Sequence, residues 1–240
     1  MAKLSVNINK IATLRNARGG NLPNVKQFAI DCQAFGADGI TIHPRPDERH
    51  ITMADCFEIA ETIATEYNIE GFPDERYLSI IKEIKPTQAT LVPDPPGVLT
   101  SNAGWDVSNQ YETLKKHIET IKTWGVRVSV FVEPKEEDIE RISQLGADRI
   151  ELYTGPYAEG YRLGDKSKEI LPYQKACEKA LTCGLGINAG HDLNLDNLAF
   201  FNNSLRQLDE VSIGHALLSD ALYYGIENAI MLYKRCLLSK

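Results

Sequence analysis

The sequence predicts a single (β/α)8 barrel with additional helices, spanning residues 1–240. Three observations predict it. The chain's 240 residues suit one barrel, a fold of roughly 250 residues. Short β-branched runs alternate with helix-period segments from end to end, without a linker-like break in composition. A helix ending in glycine feeds a strand at Phe35-Gly36-Ala37-Asp38, Trp124-Gly125-Val126-Arg127, Leu145-Gly146-Ala147-Asp148 and Cys183-Gly184-Leu185-Gly186, so the second half reads as a repeat of the first. An open doubly wound sheet is the competing architecture on pattern alone.

In order, Leu4–Ile8 reads as the first strand, with Asn7, Asn9 and Lys10 at its end. Val25, Phe28, Ala29, Cys32 and Phe35 give helical spacing over Asn24–Phe35. Gly39–Ile42 is the second strand. It stops at His43-Pro44, because Pro44 lacks an N–H and Pro46 fixes another φ. Thr52 can cap the next helix, and Tyr67–Gly71 is the third strand, carrying Glu70. A helix over Asp74–Ile84 precedes a fourth strand, Ala89–Val92. Asp94–Val107 has prolines, glycine and no period, the composition of a binding loop or lid. Ser108 opens an amphipathic helix to Trp124, and Arg127–Val132 is strand five. A helix over Lys135–Leu145 leads to strand six, Arg149–Thr154; an open loop, Gly155–Gly164, and one long helix, Lys166–Cys183, follow. Gly186–Gly190 is strand seven, Leu195–Phe201 a helix, Glu210–Gly214 strand eight, and Ala216–Leu238 the closing helix.

Composition narrows the function classes. A net charge of −7 argues against general nucleic-acid binding. A local cationic pocket remains open, because Lys10, Arg15, Arg18, Arg45 and Arg49 cluster in the first fifth of the chain; the alternative is solvated surface charge. The 5 cysteines are odd in number and form no C-x-x-C pair, so buried thiols in a reducing cytoplasm are expected rather than disulfides or structural zinc. No signal peptide is visible and no run approaches the ~18 apolar residues of a membrane span, so a cytoplasmic location is expected.

Chemistry gathers past the strand ends. His43, His50, His191 and His215, four of the 5 histidines, fall there, while His117 sits in a helix among lysines. Imidazole both takes and gives protons near neutrality. Glu70 and Glu151 occupy strands among apolar neighbours, which demands either a loop arginine as partner or a task. Gly190-His191 and Gly214-His215 end strands seven and eight, where backbone N–H groups at a helix start can hold phosphate. Arginines after strands one and two could take a second phosphate. A Schiff base at Lys10 is disfavoured by its polar, cationic neighbourhood. Neither G-x-G-x-x-G nor a P-loop occurs, so no nucleotide cofactor is expected. These residues describe a barrel enzyme using acid–base chemistry on a phosphorylated small molecule.

Asn7-Ile-Asn-Lys-Ile-Ala-Thr-Leu-Arg-Asn-Ala-Arg-Gly19, with Gly39-Ile-Thr-Ile-His-Pro-Arg45 and Arg49-His-Ile-Thr52, resembles the pyridoxine 5′-phosphate synthase family. The likeness continues through Asn68-Ile-Glu70, Leu91-Val-Pro93, Ile150–Gly155, Asn188-Ala-Gly-His191 and Ile213-Gly-His215, covering essentially the whole chain. The resemblance implies condensation of 3-amino-2-oxopropyl phosphate with 1-deoxy-D-xylulose 5-phosphate, giving pyridoxine 5′-phosphate, phosphate and water without metal or organic cofactor. It implies that His43 and Glu70 accept protons, His191 donates one and Glu151 stabilises the transition state. It also implies that Asn7, Arg18, Thr100, His191, Gly214 and His215 contact the aminoketone phosphate, and that Arg45 and His50 contact the sugar phosphate. Asn9, Lys10 and Gly190 complete the substrate-binding set. A homo-oligomer, an octamer by this resemblance, is implied, with Arg18 acting across a subunit boundary.

Two departures accompany the likeness. Asn9-Lys10 stands where the best-known pattern has Asp-His, and a lysine can hold a hydroxyl or phosphate but cannot reproduce imidazole chemistry. Pro46-Asp47-Glu48 lacks an arginine found in the familiar loop, which shifts sugar phosphate binding toward Arg45, Arg49 and Lys10. The competing readings are a metal-dependent sugar-phosphate epimerase or aldolase, with His43, Glu70 and His191 as ligands, and a non-catalytic phosphometabolite-binding barrel.

Overall fold

A computed structural model describes residues 1–94 and 103–238 of the chain. Eight parallel strands close into a barrel in sequence order: β1 (Lys3–Asn7), β2 (Gly39–Ile42), β3 (Glu66–Gly71), β4 (Gln88–Leu91), β5 (Arg127–Val132), β6 (Arg149–Tyr153), β7 (Gly186–Gly190) and β8 (Glu210–Ile213). Closure comes from β1 pairing with β8, Leu4 opposite Val211. This settles the architecture as a barrel and not an open sheet. Around it lie α1 (Asn9–Asn16), α2 (Val25–Ala34), α3 (Met53–Ala60), α4 (Glu75–Ile84), α5 (Tyr111–Lys122), α6 (Glu136–Gln144), α7 (Gly155–Arg162), α8 (Lys166–Glu169), α9 (Leu171–Thr182), α10 (Leu198–Ser204), α11 (His215–Tyr224) and α12 (Ile226–Leu237).

The repeated glycine junctions have a physical reason. Gly36, Gly125, Gly146 and Gly184 follow helices at φ of 95°, 76°, 80° and 73°, where a side chain would be strained. Aspartates directly before β2, β6 and β8 tie each of these strands to its predecessor. Asp38 accepts from Leu4 N at 3.0 Å, Asp148 from Val128 N at 2.8 Å and Asp209 from Ile187 N at 2.7 Å. Thr52 and Asp55 form the capping box that starts α3, and Asp74 caps α4 by accepting from Tyr77 N at 2.8 Å.

Three expectations are corrected, and one unassigned segment gains a structure. Gly155–Gly164 is not an open loop: Pro156 opens α7, and Tyr157 and Tyr161 pack on Phe201 and Phe200 at 4.9 and 6.0 Å between ring centres. The long helix over 166–183 breaks into α8 and α9 near Pro172, whose missing N–H suits a helix start and not an interior. The closing helix breaks at Gly225, φ 77° and ψ 151°, into α11 and α12. The segment after Asn9, unassigned by periodicity, forms α1.

Strand alternation divides the molecule. Leu4, Val6, Ile40, Ile42, Ile69, Val128, Val130, Ile150, Leu152, Ile187, Val211 and Ile213 are buried toward the helices. The intervening residues fill the barrel, and they are polar. Ser5 bonds Thr41 at 2.7 Å, Thr90 donates to Asn68 at 2.9 Å, and Asn188 donates to Gln88 at 3.3 Å. Beneath them Lys3 and Arg127 both pair with Glu66, while Arg149 lies 3.6 Å from Glu210. Barrel interiors are more often filled by branched apolar side chains; here hydrogen bonds between strands, one of them running from β7 across to β4, satisfy most of the buried polar groups, while Ser129 Oγ has no partner among the described residues.

Candidate active site

At the carboxyl ends of the strands lies a cavity of about 810 Å3. Asn7, Asn9, Lys10, His43, Arg45, His50, Glu70, Glu151, His191, Gly214 and His215 all border it. Residues from 7 to 215 thus meet at one mouth, as parallel strands followed by loops require.

Glu70 is the hub. Asn7 Nδ2 donates to its Oε2 at 3.4 Å, Ser212 Oγ donates to its Oε1 at 3.2 Å, and His43 Nδ1 stands 3.8 Å from Oε2. Burial pushes its pKa up to about 7, against the opposing pull of the Ser212 bond and the positive charge of Arg45. A carboxyl poised there can give or take a proton at neutral pH. His43 is buried, and its pKa lies well below the usual imidazole value, first through burial and then through the charges of Arg45, His50 and Arg49. Its surroundings therefore favour the neutral imidazole. Its backbone N donates to Asn9 Oδ1 at 2.9 Å, and Asn9 N donates to Asn7 Oδ1 at 3.1 Å, so the β1 and β2 ends are locked together.

Glu151 is only 3% exposed, and its Oε2 has no hydrogen-bond partner among the described residues. Burial raises its pKa well above the carboxylate range, and the negative charges of Glu70 and Glu210 raise it further. Burial thus favours its protonated form, and its Oε2 is unengaged among the described residues in the wall of the cavity. An orphaned buried polar group of this kind costs stability unless it has a task.

The cationic side is smaller than the sequence suggests. Lys10 and Arg45 border the cavity, and Arg45 Nη2 reaches Asp94 at 2.8 Å. Arg15 does not belong to it: its guanidinium grips Asp55 with both nitrogens and donates to His50 O at 3.2 Å. Asn16 also donates to His50 O, at 2.8 Å, so α1 holds the His50 loop in place. Arg49 lies 3.5 Å from Asp47 outside the cavity lining, and Arg18 is exposed outside it. His50 Nδ1 accepts from Ile51 N at 2.9 Å, which leaves the neutral ring's proton on Nε2 as a donor. Burial, Arg45 and Arg49 push its pKa down to about 4.

The two Gly-His pairs differ. Gly214 caps α11, whose first N–H groups have no side-chain cap, and a Cβ there would stand 3.1 Å from Asn7 Cβ. A helix start with free N–H groups of this kind can accept an anion. Gly190 instead ends β7, and a loop leads on to the seven-residue α10. A Cβ at Gly190 would overlap Glu151 Oε1, so this glycine makes room for the buried acid. His191, at φ 82°, lies against Tyr153 with 5.3 Å between ring centres. Thr100 lies outside the described residues, as does most of the Asp94–Val107 loop.

Sequence reading missed Ser212, Asp192 and α7, whose Glu159 and Arg162 border the cavity. Ser212 follows Glu210 by two residues and was findable by strand alternation. Among the described residues no group of three or more histidine, cysteine or acidic side chains could hold a metal ion, so His43, Glu70 and His191 are not gathered as a ligand set. No helix among them is long and apolar enough to cross a membrane.

Comparison with known proteins agrees with this geometry. The family model described as pyridoxal phosphate biosynthesis protein PdxJ matches residues 4–239. The chain is 56% identical over 234 residues to pyridoxine 5′-phosphate synthase of Porphyromonas gingivalis, covering 98% of each chain. It is 54% identical to that of Parabacteroides distasonis, covering 99% of each. Among solved structures, phosphoribosyl anthranilate isomerase from Thermus thermophilus superposes with a TM-score of 0.61 at 13% identity, covering 98% of both chains. Orotidine 5′-monophosphate decarboxylase from Methanocaldococcus jannaschii superposes with a TM-score of 0.60 at 14% identity, covering 98% of each. At such identities these two share the fold alone.

Proposed function

The chain belongs to the PdxJ family of pyridoxal phosphate biosynthesis proteins, and from that premise we propose that its cavity joins 3-amino-2-oxopropyl phosphate to 1-deoxy-D-xylulose 5-phosphate, with His43, Glu70 and His191 moving the protons and Glu151 stabilising the transition state. The protein is a pyridoxine 5′-phosphate synthase. The observation that carries the assignment of roles is the meeting of His43, Glu70 and Glu151 in one cavity, with His43 Nδ1 3.8 Å from Glu70 Oε2 and both carboxyls raised by burial.

Joining an amine to a ketone expels water, so a base must take a proton from nitrogen and an acid must protonate the departing oxygen. His43, whose surroundings favour the neutral imidazole, and Glu70, close to it, are the acceptors. His191 is the donor. Departure of the sugar phosphate and ring closure require further proton removal, which two adjacent bases can share. Glu151 offers its O–H to oxygen as negative charge grows there, an interaction strengthened by its dry surroundings. Lys10, Arg45 and the His50 Nε2–H form one phosphate site; Asn7 and the N–H groups after Gly214, with His215, form the other. Lys10 here binds a hydroxyl or phosphate and transfers no proton.

Arg18, exposed and outside its own cavity, reaches the site of a neighbouring copy in this proposal, which makes the working protein a homo-oligomer. Light scattering of the purified protein checks that assembly. The free cysteines suit a reducing cytoplasm. The test of the reaction mixes purified protein with both substrates and follows pyridoxine 5′-phosphate alongside released phosphate. Equal amounts of both support the proposal; folded protein yielding neither overturns it.

A further inference from the structure

His191 and Asp192 are consecutive and both left-handed, at φ 82° and 60°. Non-glycine residues adopt that conformation only where their surroundings enforce it. The surroundings do so here. Thr154 Oγ1, at the end of β6, donates to Gly190 O at 2.7 Å and also to His191 O. Asn197 Nδ2 donates to Asp192 O at 3.1 Å. The turn swings the Asp192 side chain back along the imidazole of its neighbour, placing Oδ2 at 2.8 Å from His191 Nδ1. Tyr153 flanks the ring on another side, and both His191 and Asp192 border the cavity.

We propose that Asp192 is a positioning residue that fixes which nitrogen of His191 exchanges protons with substrate. An ionised carboxylate only accepts hydrogen bonds, so the 2.8 Å contact keeps a proton on Nδ1. Exchange is thereby assigned to Nε2. When His191 acts as acid, the proton on Nε2 passes to the departing hydroxyl oxygen, the C–O bond breaks and water leaves. The imidazole ends neutral, with its remaining proton on Nδ1, still held by Asp192. Without the carboxylate, a neutral imidazole favours the opposite tautomer. This inference rests on His191 being the proton donor of the proposed reaction.

The test compares wild type with Asp192→Ala and Asp192→Asn, using full-length protein and both substrates. Two readouts apply: kcat and KM, and the nitrogen-15 shifts of the His191 ring in substrate-free protein. The neutral wild-type ring is expected to carry its proton on Nδ1. Asp192→Ala is expected to move it to Nε2 and to lower kcat by about tenfold or more, as loss of alignment does, with each KM changed less than about threefold. Asp192→Asn, whose amide can donate as well as accept, is expected to give mixed tautomers and an intermediate kcat; it carries the comparison if the alanine variant fails to fold. A wild-type ring protonated on Nε2 overturns the inference and leaves the synthase reading intact. So does a rise in KM at unchanged kcat, which would mark Asp192 as a substrate ligand. Wild-type turnover by His191→Ala would overturn the donor role and this inference with it.

Discussion

The two ends of this barrel hold the same chemistry in opposite conditions. At the amino-terminal end, Glu66 takes hydrogen bonds from Lys3 and Arg127. Burial works to raise its pKa, yet those two partners outweigh it and hold it at about 2. At the carboxyl end, Glu70 has an amide and a hydroxyl for partners and sits at about 7, and Glu151 Oε2 has no hydrogen-bond partner among the described residues. Glu210 shows that the lower ring is strained too: burial and the charge of Glu66 lift it to about 7, opposed by Arg149 and Arg127. The difference lies in partners, since both ends are buried. Below, Glu66 is bonded directly by two cations; above, Arg45 acts on Glu70 through its charge alone and pairs with Asp94, an arrangement suited to keeping a carboxyl titratable near neutrality.

The comparison can be broken at several points, and the largest effect is expected at His43. His43→Ala removes the proposed proton acceptor and should lower kcat for pyridoxine 5′-phosphate formation by about 10²-fold or more, with the melting temperature nearly unchanged; loss of less than threefold would remove His43 from the chemistry. Arg127→Ala is the reverse case. Leaving Glu66 and Gln88 under-partnered should destabilise the protein by about 3 kcal/mol in denaturant unfolding, while kcat per folded molecule stays within about twofold.

Gly190→Ala should show both effects in smaller measure. The added methyl overlaps Glu151 Oε1, so a stability loss of about 1–3 kcal/mol should accompany a fall in kcat, whereas Gly36→Ala, with open space around it, should cost stability through its φ of 95° alone.

The smallest effect separates the two ends by pH. Glu70 has a folded pKa raised from 4.5 to about 7, so the stability tied to its protonated form is complete below about pH 4.5 and is lost as pH rises through 7. Glu70→Gln should therefore gain on wild type between pH 5 and 8, by on the order of 2 kcal/mol at pH 8. Glu66 has its folded pKa depressed to about 2, so its contribution is present above about 4.5 and lost as pH falls through 2. Glu66→Gln should be less stable than wild type at pH 7 and approach it in acid. Thermal melts across pH would show the two curves diverging in opposite directions.

Much of this was legible in the sequence, for reasons that can be named. The barrel was readable because glycine junctions such as Phe35–Asp38 and Leu145–Asp148 repeat, and because Pro44 and Pro93 stop strands where loops begin. The gathering of His43, Glu70, Glu151 and His191 followed from strand ends alone once the barrel was assumed. What escaped depends on contacts between distant residues. Arg15 reads as a loop cation, and only the fold reveals Asp55 beside it, 40 positions away. The segment 155–164 reads as a loop because glycines interrupt it, while the force that makes it helical is aromatic packing on Phe200 and Phe201. Gly190 reads as a phosphate turn, and its role as clearance for Glu151 depends on the β6–β7 register, which sets Tyr153 opposite Gly190. The polar barrel interior was present in the alternation of Ser5, Thr41, Asn68, Thr90, Ser129 and Asn188, hidden by the apolar residues between them.

The central claim is that proton transfer belongs to the under-partnered carboxyls at the mouth and not to the ion-paired ones beneath. The most direct measurement compares kcat, per folded molecule, of Glu70→Gln and Glu66→Gln in one assay of pyridoxine 5′-phosphate formation. The account predicts a loss of about 10²-fold or more for Glu70→Gln and a change within about threefold for Glu66→Gln. Equal losses in both variants, or a Glu70→Gln enzyme that turns over like wild type, would contradict it.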